Sequence, residues 1–457
     1  MRNHRSRTLG MLALVVVLFV VGVAAASAEP LPIEPGNAKA EQFEPASACG
    51  CHATLVEQWQ RSLHAQALSD PIYLAKLDEA NKATDGAIGD FCNKCHGPAA
   101  MMSGQFGAAQ MAPGVSEGIS CSFCHQVTGI LPGDPANTSH LVEANGVRRA
   151  QLKDPQAPHP AEYSAFHETS EFCGGCHNVN HPVNGLELEA TYTEWAQSPW
   201  ADEGVTCQDC HMSREPGVIG PYAGTAAPGA PERPNIYSMT FTGAQVELGD
   251  KTASTALLRS AAVVSLEVPE IVGEGVEAVV TVTNKGAGHD LPTGLTEIRE
   301  MWLEVYLEDQ DGARTELGRR MFNTVLEDKD GNAPAQLWDA VKIRSDDRIG
   351  ARESVTETYT IALPAEAPTG KLVAVLRYRS VPDELAEKAG VKNPITDMAS
   401  AEQAVFLSED ARASAIQEGT DPAEPAGSRT LLIIVAVAAV VAIAAALLWL
   451  RRARAGS

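Results

Sequence analysis

The sequence predicts a multidomain chain. A helix-and-loop region built around cysteine–histidine clusters comes first, then an antiparallel β-sandwich, then a C-terminal transmembrane helix. Three observations carry this expectation. All ten cysteines fall into five clusters between Cys49 and Cys210, and a histidine directly follows each cluster. Beyond Cys210 there is no cysteine, and apolar residues alternate in runs separated by turn residues. Residues 431–450 form an apolar run without a charge, matching the roughly 20 residues that cross a bilayer core as a helix. The implied divisions are 1–28, 40–240, 245–380, 381–428 and 430–450.

The two ends set the expected compartment. Arg2, Arg5 and Arg7 precede an apolar run at residues 9–25, and Ala26-Ser27-Ala28 precedes Glu29. That order is a secretory signal with cleavage after Ala28; an uncleaved N-terminal anchor is the alternative. At the other end Arg451, Arg452 and Arg454 follow the apolar run, whereas only Arg429 stands close before it. The positive-inside bias then keeps the tail in the cytoplasm and the body on the exported face, tethered through the C-terminal helix. A formal charge of −23 argues against nucleic acid as a partner, because its phosphates would be repelled. An acidic exported body suits a protein that docks redox partner proteins by charge.

The clusters carry the chemistry. Four read C-x-x-C-H: Cys92/Cys95/His96, Cys121/Cys124/His125, Cys173/Cys176/His177 and Cys207/Cys210/His211. Two thiols at this spacing reach the two vinyl groups of one haem, and the adjoining imidazole lies under the iron. A disulfide framework or zinc pairs are the alternatives, but neither requires a histidine after every second cysteine. The first cluster differs. In Ala48-Cys49-Gly50-Cys51-His52 the cysteines are one residue apart, and Ala48 stands where the first cysteine is usual. Attachment through both cysteines, attachment through Cys51 alone, and no haem all remain open there. Five haem c groups are expected, held at Cys49, Cys51, Cys92, Cys95, Cys121, Cys124, Cys173, Cys176, Cys207 and Cys210. The proximal ligands are His52, His96, His125, His177 and His211.

From these motifs the chain resembles the multihaem cytochromes of the cytochrome c-554 type. The resemblance rests on Cys51-His52 followed by Trp59-x-x-Ser62-x-His64, on Cys95-His96-Gly97-Pro98, and on Glu117-Gly118-Ile119-Ser120 running into Cys121. It continues through Glu171-Phe172-Cys173, His181-Pro182-Val183-Asn184-Gly185 and Tyr192-x-Glu194-Trp195, and closes with Gly204-Val205-Thr206-Cys207 to Met212. It reaches more weakly into the second half through Gly286-Ala287-Gly288-His289. It implies His64 as a distal ligand, His167 in a shared segment before Cys173, and His289 on a loop reaching back to a haem. His181 turns to a neighbouring haem or caps its local turn. His140 and His159 sit in Pro- and Gly-punctuated loops, where a solvated histidine is the bland alternative.

After the expected signal segment, six histidines outside the motifs for five irons allow every haem two histidine ligands, the arrangement of an electron relay. Electron transfer through serial, mostly bis-histidine haems is therefore the leading expectation. The rival is a multihaem oxidoreductase acting on a small nitrogen or sulfur compound at a five-coordinate haem. In the second half, residues 261–268, 276–282, 301–307, 354–361 and 371–378 read as strands of an immunoglobulin-like sandwich. Asp309 to Gly312 and Asp328 to Gly331 read as turns rather than calcium loops, since neither has the full ligand series. A short helical region around residues 384–401 and an Ala/Pro/Glu linker follow.

Overall fold

Strand-forming runs with one apolar face cannot stand alone in water, and here they bury that face against each other. In the computed structural model, which describes residues 29–363 and 365–418, nine long strands follow the haem-motif region. They are β1 (Ala262–Glu267), β2 (Val276–Asn284), β3 (Glu300–Asp309), β4 (Arg314–Phe322), β5 (Thr324–Asp328), β6 (Ala340–Asp346), β7 (Ser354–Ile361), β8 (Thr369–Arg379) and β9 (Thr396–Phe406). A three-stranded sheet runs β1-β2-β7 and a four-stranded sheet runs β4-β3-β8-β9, with β5 and β6 forming a separate ribbon. All these pairings are antiparallel.

The period of two decides which face is inside. In β2, Ala278, Val280 and Val282 are buried to 1% exposure or less, and in β3 so are Met301, Leu303 and Val305. These residues share one core with Leu372, Ala374 and Leu376 of β8. Burying each large side chain contributes about 1.5–3 kcal/mol, so this cluster is the main apolar store of the described chain. The outer face of β3 is covered differently. Arg314 lies 4.5 Å over the ring of Tyr306, and Arg319 and Arg379 lie over Trp302 at 5.8 and 5.9 Å.

The region carrying the clusters has shorter elements. Its longest helix, Pro71–Thr84, starts with Asp70 capping the amides of Ile72 and Tyr73 at 2.8 and 3.3 Å. The helix packs against the second half, where Ile72 joins Ile298, Val381, Leu385 and Ala386 in one buried group, and Lys388 meets Glu79 at 2.9 Å.

Two expectations are corrected. Among the described residues no helix is long and apolar enough to cross a membrane. The last described helix, Glu409–Glu418, is only 10 residues long and opens with Glu409 and Asp410, far from the roughly 20 apolar residues a span needs. The described architecture therefore ends without the expected transmembrane helix; residues 431–450, like the expected signal at 1–28, lie outside the described residues. The cluster region is mostly helices and loops, as expected, with strands of only two to four residues, among them Arg148–Ala150 with Ala161–Tyr163 and Val179–Asn180 with Glu187–Glu189. Secondly, the segment around residues 384–401 divides. Asp383–Ala389 is helical, but Thr396–Phe406 is a strand paired with β8 from Thr369↔Phe406 to Tyr378↔Thr396.

We expect Leu303→Ala to lower unfolding free energy by about 2–5 kcal/mol, measured by denaturant titration of the purified full chain. A loss below about 1 kcal/mol would mean that the two sheets do not share this core.

Candidate functional site

A C-x-x-C pair on a helical turn puts both sulfurs on one side, because residues three apart are neighbours. Four clusters use this. Cys92 and Cys95 lie in helix Gly89–His96, Cys121 and Cys124 span Cys121–Cys124, Cys173 lies in Glu171–Gly174, and Cys207 and Cys210 lie in Cys207–His211. Local sequence fixes these turns. Ser120 Oγ accepts the Phe123 amide at 3.2 Å, and the Asp209 carboxylate accepts the amide of Thr206 at 2.8 Å and its hydroxyl at 2.9 Å. The contracted first cluster lies in the tighter 3₁₀ segment Ala46–His52, with Cys49 off helical geometry at φ −87°, ψ 28°.

None of the ten cysteines is in a disulfide, and among the described residues no three His, Cys, Asp or Glu side chains converge as a metal site. Burial pushes several of the thiols up, Cys92 and Cys210 to about 11 and Cys124 to about 12, whereas Cys49 and Cys207 are shifted down by their cysteine neighbours Cys121 and Cys173.

The histidines are held from one side. Nδ1 of His52 donates to the Ala226 carbonyl at 2.8 Å, that of His96 to Ala67 at 3.1 Å, that of His125 to Arg149 at 2.7 Å, and that of His211 to Thr242 at 2.8 Å. Nδ1 of His177 meets the Glu189 carboxylate at 3.4 Å. In all five motif histidines the lone pair is thus left on Nε2, as in metal-ligating histidines whose second nitrogen is anchored. Desolvation lowers His96, His125 and His211, the last to about 4. For His177 burial also acts downward, but Glu189 outweighs it and the net shift is upward.

The partners of these rings give the test of fit for haem. A metal–imidazole bond is about 2 Å long and the ring centre lies about 1 Å further, so two imidazoles on opposite sides of one ion have centroids about 6 Å apart. Four of the five motif histidines have such a partner. His125 faces His167 at 6.1 Å with an 8° interplanar angle, and His211 faces His289 at 6.3 Å and 16°. His177 faces His64 at 6.2 Å and 36°, and His52 faces His159 at 6.3 Å and 56°. His289 and His159 are anchored through Nδ1 in the same way, on the carbonyls of Asp290 at 2.8 Å and Pro160 at 3.2 Å. His167 is turned around. Its Nε2 donates to the Cys124 carbonyl at 3.1 Å, and its buried Nδ1 has no partner, so Nδ1 carries the free lone pair. Desolvation lowers His167 to about 4 and His64 to about 3, keeping those lone pairs available. These residues fit haem.

His96 is different: Tyr73 stacks flat on its ring at 3.6 Å and 5°, and no second histidine stands opposite it among the described ring contacts. His181, expected as a ligand, is not brought to any other histidine. Its Nδ1 accepts the amides of Val183 and Asn184 at 3.2 and 3.4 Å, and its Nε2 donates to the Trp338 carbonyl at 3.2 Å, so both nitrogens are used locally. His140 likewise donates to Phe172 at 2.7 Å. Sequence reasoning passed over His159, whose Pro-rich loop offers no periodic signal. Only the count of spare histidines pointed to it.

The motif neighbours seen in sequence are contacts in space. Gly118, at φ +65°, lies under His64; a Cβ there would stand 2.5 Å from the His64 carbonyl oxygen. The adjacent Ile119 amide donates to that same carbonyl at 2.9 Å, and the Trp59 indole donates to the Ile119 carbonyl at 2.9 Å. The clusters also lie near one another, with the thiols of Cys121, Cys176 and Cys207 close enough to shift the titration of Cys49, Cys95 and Cys173 respectively.

Residues 48–126 match the family described as cytochrome c554 and c-prime. Among solved structures, the chain is similar to a penta-haem cytochrome c552 from Thermochromatium tepidum, with 21% identity and a TM-score of 0.59 over 82% of this chain and 100% of that one. Two other matches, a CARDB domain of Pyrococcus furiosus and a putative superoxide reductase of Thermotoga maritima, are 16% and 19% identical. They cover 32% and 33% of this chain and 85% and 90% of their own, with TM-scores of 0.18 and 0.19 that carry no argument. No curated protein matches the chain. Motifs, family match and fold together define the class, a multihaem c-type cytochrome. Its cofactor is haem c.

Gly175 is a sensitive point of this region, because a Cβ there would meet the His140 ring at 2.4 Å. We expect Gly175→Ala to destabilise the holoprotein by about 1–3 kcal/mol, read from its thermal unfolding; an unchanged midpoint would mean that His140 moves aside freely.

Proposed function

We propose that this chain relays electrons between redox partner proteins through haem c held at five clusters, four of them with two histidine ligands. The observation that carries this reading is the set of four imidazole pairs spaced 6.1–6.3 Å apart. When bound, haem c supplies a one-electron iron couple whose potential the protein sets through axial ligands, hydrogen bonding and burial. The proposed ligand pairs are His52 with His159, His125 with His167, His177 with His64, and His211 with His289. Second nitrogens anchored at seven of these eight rings hold them in one orientation, so that electron transfer costs little reorganisation. Cysteines of the first and third clusters lie close to one another, as do those of the fourth with the second and with the fifth, a proximity that suits serial transfer.

Export through the N-terminal signal forms part of this proposal. The mass of the purified holoprotein tests both: we expect a chain beginning at Glu29 and carrying five haems. Four haems would leave the Cys49/Cys51 cluster empty, and an intact N-terminus would exclude cleavage after Ala28.

One observation favours a second reading at a single site. His96 has Tyr73 on its ring face and no histidine opposite, which supports a five-coordinate haem able to bind a small molecule. Cyanide titration of the oxidised holoprotein should then show one equivalent bound per chain, with loss of one high-spin signal in paramagnetic resonance. Wholly low-spin iron with no cyanide uptake would exclude that reading and leave a pure relay.

A further inference from the structure

Most distal histidines come from the same region as the clusters they serve, but His289 is delivered from the strand-rich half. The loop that carries it, residues 285–293, leaves the end of β2 and has little regular structure of its own. Its fixing points are therefore informative. At its start Asn284, fully buried, donates from its side-chain amide to the His289 carbonyl at 2.8 Å and the Ile349 carbonyl at 3.1 Å. Further along, Leu291 and Ile349 exchange backbone hydrogen bonds at 2.9 and 3.0 Å. These contacts tie the loop to its own half. They do not hold it against the cluster region.

That link is made by one carboxylate together with a hydroxyl pair, Thr191 Oγ1 and Thr293 Oγ1 at 2.8 Å. Glu194, on helix Thr191–Ala196, accepts the Thr293 hydroxyl at 2.6 Å and the Asp290 amide at 3.3 Å through Oε2. Its Oε1 accepts the Arg348 guanidinium. Arg348 in turn reaches Asp346 at 2.8 Å and Asp290 at 3.3 Å. The next residue, Trp195, lies against Gly288, where a Cβ would come 3.5 Å from its ring. The side chains of Glu194 and Arg348 are only 6% and 9% exposed. A buried ion pair costs desolvation that its attraction repays only with good geometry and further hydrogen bonds, and here one arm of each side chain reaches Asp290, the residue next to His289.

We propose that Glu194 and Arg348 are positioning residues that hold His289 on the iron at the His211 cluster, and so keep that site closed to outside ligands. The proposal rests on the reading that His289 is the distal ligand of that haem. With the clamp intact, the imidazoles stay 6.3 Å apart and nearly parallel. With Glu194 removed, Arg348 keeps Asp346 and Asp290 but loses its tie to the cluster region, Asp290 and Thr293 lose the carboxylate acceptor, and the loop, left with the Thr191–Thr293 hydroxyl pair there, can retreat with its own half.

The test uses the holoprotein of the full chain and compares Glu194→Ala, Glu194→Gln and His289→Ala by paramagnetic resonance and cyanide titration. His289→Ala should add one high-spin haem and one equivalent of cyanide relative to the parent. Glu194→Ala should reproduce most of that change, and Glu194→Gln, which keeps an acceptor but not the charge, should fall between. If His289→Ala shifts the spectrum and Glu194→Ala does not, the positioning role is wrong while the ligand assignment stands. If His289→Ala shifts nothing, the ligand assignment itself fails. Should Glu194→Ala yield no folded protein, Arg348→Lys decides. A lysine keeps the charge but cannot grip three carboxylates in a planar fork, so it should raise the high-spin fraction, and an unchanged fraction overturns the proposal.

Discussion

Paired imidazoles facing one another across about 6 Å, seven of the eight rings having the other nitrogen tied to an oxygen, are the constraint on which the rest of this molecule depends. Left without a metal between them, such a pair wastes buried polar atoms, the partnerless Nδ1 of His167 being the plainest case. The cost makes sense only if something accepts the lone pairs. The short helices, small strand pairs and glycine contacts then read as means of carrying backbone carbonyls to the right histidines. The parallel pairing of Arg148–Ala150 with Ala161–Tyr163, for instance, sets the Arg149 carbonyl 2.7 Å from His125 Nδ1.

The two halves of the chain solve different problems by different physics. The strand-rich half has a continuous apolar core and is self-supporting in the ordinary way. The cluster region has only a modest apolar group, around Ile33, Phe43, Met101, Met102, Val115 and Phe123, and its rings are spaced for cofactors rather than packed on each other. The halves are joined at helix Pro71–Thr84 and at the loop carrying His289, so the second half is a structural partner of the cluster region.

Much of this was legible in the sequence where chemistry imposes a fixed spacing. The C-x-x-C-H motifs, the period-two alternation of β2 and β3, and the motif Trp59-x-x-Ser62-x-His64 each express a local geometric rule. What could not be read depends on chain segments meeting at a distance. His159 gives no local sign that it faces His52, and His181 looked equally suited to ligation until its two nitrogens were seen to be taken by a turn and the Trp338 carbonyl. The strand at Thr396–Phe406 was hidden because its alternation includes Ala and Ser, which also suit helices. Neither the strength of a motif nor the count of histidines foretold that His96 would face a tyrosine.

The central claim is that four haems in this chain have two histidine ligands each. Near-infrared magnetic circular dichroism of the oxidised holoprotein measures this directly, because the charge-transfer band of low-spin haem reports its axial ligand pair. The account predicts bis-histidine intensity corresponding to four haems per chain. Intensity for two or fewer, or a band from histidine–methionine ligation, would contradict it.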